Sequence, residues 1–88
     1  MSTILNDLYA TILDRKANPK PDSYTTSLFA AGTDEIVKKV GEEAIEVILA
    51  AKAQSDQRVI EESADLLYHL WVLLALRGVG YRSTIGMS

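Results

Sequence analysis

Glu43 and Glu46 stand three residues apart, and so do Glu62 and Asp65. Each pair is embedded in an apolar, helix-forming run: KKVGEEAIEV from Lys38 to Val47, and EESADLLYH from Glu61 to His69. Residues three or four apart share a helix face, so each run projects paired carboxylates from a surface that otherwise favours burial. Isolated carboxylates there are expensive to desolvate. Two such helices packed together gather four acidic groups into one cluster, and a hard divalent cation is the usual reason to tolerate that.

At about 100° per residue, Lys38, Lys39, Glu42, Glu43 and Glu46 fall within one broad sector of the first run. Arg58, Glu61, Glu62, Asp65 and His69 do the same on the second, with His69 one turn beyond the aspartate. Mg²⁺ suits such a donor set, because it takes oxygen ligands, keeps several waters and binds through a few carboxylates plus substrate phosphates. A metal so held screens a triphosphate, polarises phosphorus and helps generate hydroxide. A spare carboxylate can serve as general base towards water. Hydrolysis between phosphates needs little else, being largely positioning and charge stabilisation. Glu and Lys mixed on a helix face also describe an ordinary solvated surface. Two spaced pairs on adjacent, otherwise apolar helices are what favour a metal site.

The elements that must position these groups read as helices joined by short loops. Ile4, Leu5, Leu8, Ile12 and Leu13 follow a helical period, which predicts a first helix over about Thr3 to Lys16. Asn18 to Asp22, with two prolines, is a breaker. Ser23 is a candidate cap for a short helix through Ala31, with Gly32 as its stop. Thr33 is the expected cap of the next helix, with Asp34 and Glu35 in its first turn, where the dipole favours negative charge. That helix is expected to run to about Ala53. Gly41 inside it costs about 1 kcal/mol relative to alanine, which is plausible where another backbone or a ligand approaches closely. After a loop at Gln54 to Asp56, a last helix should run from about Gln57 to Arg77 and stop at Gly78. No strand shows convincing alternation.

Both central helices are apolar over more than one face and expect neighbours on several sides. The predicted architecture is therefore all-α, a four-helix core completed by homodimerisation. The 88 residues suffice for one domain, taken as residues 1–88 with a flexible tail over 79–88. A net charge of −3 with no basic block gives nucleic-acid binding little support. The same acidic excess opposes a polyphosphate substrate unless a metal intervenes. The absence of cysteine excludes disulfides and thiolate metal sites. No secretory leader is visible, and the apolar stretch Leu66 to Leu76 is too short to span a bilayer. A cytoplasmic protein with no membrane partner is expected.

The series SYTTSLF (Ser23 to Phe29), GTDEIVKKVGEEAIEVILAAK (Gly32 to Lys52) and ESADLLYHLWVLLALRG (Glu62 to Gly78) closely resembles the phosphoribosyl-ATP pyrophosphatase family. That family is the histidine-pathway branch of the MazG-like all-α nucleotide pyrophosphohydrolases. The resemblance implies an α-helical dimer with its active site in a cleft between helices. It implies hydrolysis of the α–β phosphoanhydride of phosphoribosyl-ATP to phosphoribosyl-AMP and pyrophosphate, with Mg²⁺. Carried over by motif, the metal ligands match Glu43, Glu46, Glu62 and Asp65. Glu42, the adjacent acid, would support the site or help activate water.

Other positions have two readings each. Lys38 and Lys39 could neutralise the leaving pyrophosphate or be surface lysines. Ser23, Tyr24, Thr25 and Ser27 suit phosphate or ribose oxygens, or simply cap a helix. His69 could bind substrate or a neighbouring acid, or be a hydrogen-bonded structural residue. Trp71 reads as core or dimer interface, and Arg58 as a surface charge or a partner for Glu62. The chain departs from the family in its tail, GVGYRSTIGMS, and in Ile45, where relatives often carry a small residue. Some relatives are fused to phosphoribosyl-AMP cyclohydrolase; these 88 residues hold nothing of that domain, so the next step is expected on a separate protein. Two other functions compete: a housekeeping hydrolase of aberrant or surplus nucleoside triphosphates, and a non-catalytic helical dimerisation module. The words SYT and KKVGEEA argue against the first.

Overall fold

Apolar residues at helical spacing produce four helices among the described residues, 3–80, in the computed structural model. They are α1 (Thr3–Ala17), α2 (Tyr24–Ala31), α3 (Thr33–Ala53) and α4 (Asp56–Arg77). No strand occurs among the described residues, so the architecture is all-α as expected. The long helices α3 and α4 pack against each other, α1 lies against α4 and α2, and α2 lies against α3. Each helix contributes to one core: Ile12 from α1, Leu28 from α2, Ile36 from α3, and Trp71, Val72 and Ala75 from α4. Among the described residues, no helix is long and apolar enough to cross a membrane.

The helix ends follow from local chemistry. The Ser23 hydroxyl accepts from the Thr26 N–H at 3.2 Å and caps α2. The Ser55 hydroxyl accepts from the Arg58 N–H at 3.3 Å and caps α4, which starts at Asp56, one residue before the expected Gln57. At the far end of α4, Gly78 adopts the left-handed conformation. Its N–H donates to the Ala75 carbonyl at 3.1 Å, and that of Val79 donates to Leu74 at 2.9 Å. This paired closure is the Schellman motif. Helix α1 reinforces it: Lys16 Nζ donates to the Ala75 carbonyl at 2.8 Å, and Tyr9 OH to the Val79 carbonyl at 2.8 Å. Val79 is thus tied down; the rest of the expected flexible tail, beyond Gly80, lies outside the described residues.

One sequence expectation needs correction. Thr33 is not the cap of α3 but its first helical residue. The cap is Gly32, which makes no side-chain bond to the helix start. Gly32 ends α2 and begins α3 at once, and the sharp turn demands a backbone that Thr cannot adopt, with φ 95° and ψ −173°. Gly41 has no close neighbour among the described residues. It is exposed, and a methyl group built there meets nothing within 4 Å.

Gly41 lies on a face of α3 that the described residues leave uncovered. Val37, Ile45, Ile48 and Leu49 are each about half exposed on this helix, as is Ile60 on α4. Gly32→Ala is expected to lower the unfolding free energy by about 1–3 kcal/mol, as read by urea denaturation.

Candidate active site

Heptad spacing aims the acids at the seam between α3 and α4. On α3, Ile36, Glu43 and Ala50 follow one another at seven-residue intervals and so point nearly the same way. Ile36 and Ala50 are fully buried, and Glu43 between them is half-buried. On α4, Glu62 and His69 form one such pair and Asp65 and Val72 another, all on the side that faces α3. Glu62 is only 7% exposed, a low figure for a carboxylate.

Carboxylate oxygens of Glu43, Glu62 and Asp65 consequently lie within 4.8 Å of one another. They open on a cleft of about 450 Å³ lined also by Glu42, Glu46 and Ile45. The structure thus brings together three of the four acids that the spacing singled out. Glu46 and Glu42 line the same cleft outside that trio. Crowding shows in the acid strength of Glu43. Burial raises its pKa above the ordinary carboxylate range, the charge of Asp65 and the contact and charge of Glu62 raise it further, and His69 offsets part of this. Three carboxylates so placed repel one another unless protons or a cation neutralise them. An all-oxygen donor set with one buried member fits a hard divalent ion such as Mg²⁺.

His69 is buried and satisfied at both ring nitrogens. Nδ1 meets the Asp65 carbonyl at 2.7 Å, and Nε2 meets Tyr24 OH at 3.0 Å. A carbonyl only accepts, so Nδ1 donates to Asp65, while Nε2 and the Tyr24 hydroxyl share the second bond. Tyr24 stacks on Tyr68, whose hydroxyl shares a hydrogen bond with Thr25. Two bonds therefore pin α2 to α4 beside the cleft. Tyr68 is the residue that sequence reading passed over; its signal was its place next to His69 in ADLLYH.

The remaining candidates divide. Ser23 spends its hydroxyl on capping, and Ser27 donates to the Tyr24 carbonyl at 2.6 Å, so neither is turned to the acids. Lys39 pairs with Glu42 at 3.5 Å, at the cleft edge. Its ammonium is strengthened first by Tyr24 and then by Glu42. Lys38 is exposed and pairs loosely with Glu35 at 4.0 Å. Trp71 belongs to the core. Arg58 is a partner of Glu62, as well as of Glu61.

Known proteins share this pattern along nearly the whole chain. The family described as phosphoribosyl-ATP pyrophosphohydrolase matches residues 5–85. The chain is 54% identical over 77 residues to a phosphoribosyl-ATP pyrophosphatase of Lactiplantibacillus plantarum, covering 88% of this chain and 73% of the relative. It is 45% identical over 83 residues to the protein of that name from Methanocella arvoryzae, covering 92% and 87% respectively. It is also 50% identical over 76 residues to the histidine biosynthesis bifunctional protein HisIE of Thermoanaerobacter pseudethanolicus, covering 86% of this chain and 35% of that longer one. A match that runs through all four helices and both acidic stretches leaves one assignment: this chain belongs to the phosphoribosyl-ATP pyrophosphohydrolase family.

Proposed function

We propose that the chain, as a single domain, hydrolyses the α–β phosphoanhydride of phosphoribosyl-ATP, releasing phosphoribosyl-AMP and pyrophosphate in the second step of histidine biosynthesis. The observation that carries this reading is the convergence of Glu43, Glu62 and Asp65 on one cleft in a chain of this family. These three acids, with Glu46 beside them, would hold Mg²⁺. The ion, when bound, supplies charge neutralisation for the triphosphate and a more acidic water.

The chain's own groups do the rest. Glu42, at the cleft edge and outside the trio, is placed to take the proton of the attacking water. As the bond between the α and β phosphates breaks, Lys39 faces the charge of the leaving pyrophosphate, with Lys38 on the outer side. Tyr24 offers a half-exposed ring beside the cleft, and Thr25 holds that wall in place through Tyr68. His69 fixes the backbone of Asp65 and the phenol of Tyr24 with one ring.

The uncovered face of α3 favours a second copy of the chain as its cover. Val37, Ile45 and Ile48 surround Gly41, whose missing side chain leaves room for close approach. Ile45 also lines the acidic cleft, so a partner seated there would wall one side of the site. Burial of such a patch is the ordinary means by which a small domain gains a sufficient core.

Pyrophosphate release from phosphoribosyl-ATP, ATP, dCTP and dUTP, with and without Mg²⁺, tests the function. Metal-dependent release from phosphoribosyl-ATP alone is expected. Release mainly from the ordinary nucleotides would move the chain to nucleotide-pool cleaning. No release from any of them would favour a non-catalytic module. Glu62→Gln and Asp65→Asn should each lower kcat by about a hundredfold or more, since several kcal/mol of charge stabilisation is removed; circular dichroism should show unchanged helix content.

Glu43→Gln gives a pH signature. The raised pKa of Glu43 means that the folded state binds a proton more tightly than the unfolded state. Stability therefore falls as pH rises from the ordinary carboxylate range through the raised value. In chelator at neutral pH, Glu43→Gln should melt higher than the unsubstituted chain, and the gain should vanish on acidification. Added Mg²⁺ should reverse the order. Ile48→Glu, finally, is expected to yield monomers in sedimentation at concentrations where the unsubstituted chain is a dimer.

A further inference from the structure

Arg58 stands where a helix ordinarily disfavours it. It is in the first turn of α4, close behind the cap Ser55, where the positive end of the helix dipole prefers acids. Its guanidinium is nevertheless engaged on every nitrogen. Nε donates to Gln54 Oε1 at 3.4 Å, Nη1 to Glu61 Oε1 at 2.5 Å, and Nη2 to Oε1 of Glu62. Gln57 in turn donates to the other oxygen of Glu61 at 3.1 Å. Two helical turns of side chains thus hold one planar fork in a fixed orientation. The fork ends on the most buried carboxylate of the cluster.

We propose that Arg58 is a positioning residue for the metal site. It grips Oε1 of Glu62 from the solvent side and leaves the remaining lone pairs of that carboxylate to the cleft shared with Glu43 and Asp65. This inference rests on the reading of those three acids as metal ligands. A buried carboxylate without a partner is strongly disfavoured, and its two neighbours in the cluster, Glu43 and Asp65, are themselves acids. Among the described residues, Arg58 is the cation that pairs with Glu62. The planar fork binds two carboxylates at once in a way that a lysine point charge cannot. A ligand oriented in this way loses less rotamer freedom when an ion arrives. The guanidinium charge also opposes an incoming cation, but Arg58 is about half exposed, and solvent screens that repulsion more than it weakens the grip on a buried oxygen.

The test uses Mn²⁺ alone with the full chain and no substrate, free Mn²⁺ being counted by electron paramagnetic resonance. Arg58→Gln should weaken Mn²⁺ binding by about 10–100-fold, the range found when a hydrogen-bonding partner of a metal ligand is removed. Arg58→Lys should recover part of the loss. Glu61→Gln should leave the affinity within about threefold, because its own pairing is exposed. Glu62→Gln should lose the site. If Arg58→Gln binds Mn²⁺ as tightly as the unsubstituted chain, or more tightly, while Glu62→Gln does not bind, the positioning role fails and the metal site stands. If the unsubstituted chain takes up no Mn²⁺, or Glu62→Gln takes it up unchanged, both fail. Should Arg58→Gln not fold, as judged by circular dichroism, Arg58→Lys carries the test, and an affinity equal to that of the unsubstituted chain overturns the proposal.

Discussion

Like charge held at close range between two helices is the constraint on which the rest of the molecule depends. Glu43, Glu62 and Asp65 meet at the α3–α4 seam, Glu62 buried, Glu43 half-buried and Asp65 exposed. Repulsion and desolvation both push the seam apart at that point. What closes it is the apolar packing further along, where Ile36, Trp71, Val72 and Ala75 exclude water. The site and the core share one helix pair, with Glu43 flanked on α3 by the buried Ile36 and Ala50, and the core supplies the stability that the site withdraws.

A layer of neutral and cationic groups stands around the acids and limits how they can move. His69 is bonded to the backbone of Asp65 within its own helix and to Tyr24 across the fold. Thr25 and Tyr68 make a second bridge between the same two helices. Arg58 holds Glu62 from the opposite side. The Glu62 carboxylate and the backbone of Asp65 are thereby held by groups other than the acids that line the cleft.

The parts that sequence reading recovered are those set by local rules. Helix ends at Ser23 and Gly78 follow from hydroxyl capping and left-handed glycine, which act within a few residues. The acidic pairs are visible because a carboxylate among Ile, Val and Leu contradicts the pattern around it. What stays hidden depends on how helices meet. Spacing makes Glu46 as good a ligand candidate as Glu43, but only the angle between α3 and α4 decides that Glu43 faces Asp65 and Glu62. Thr25 and Tyr68 lie 43 residues apart in sequence, and no local signal joins them. Thr33 was credited with capping because threonine favours that role, yet the turn between α2 and α3 needs a positive φ. Tertiary geometry overrode propensity at that point.

Gly32 alone separates α2 from α3, which makes the spacing between the aromatic wall and the acids a matter of chain length. Tyr24 and Thr25 at one end of α2 are fastened to α4, and the other end runs directly into the helix that bears Glu43. A residue inserted at this joint would rotate or displace α3 against groups already anchored to α4, and the acids would leave register. The exposed turn at residues 18–22 is bonded only to its neighbours in sequence, the Lys20 N–H to Thr26 Oγ1 and the Ser23 N–H to the Lys20 carbonyl. A length change there would disturb the start of α2, whereas one at Gly32 would act on the helix that bears the acids.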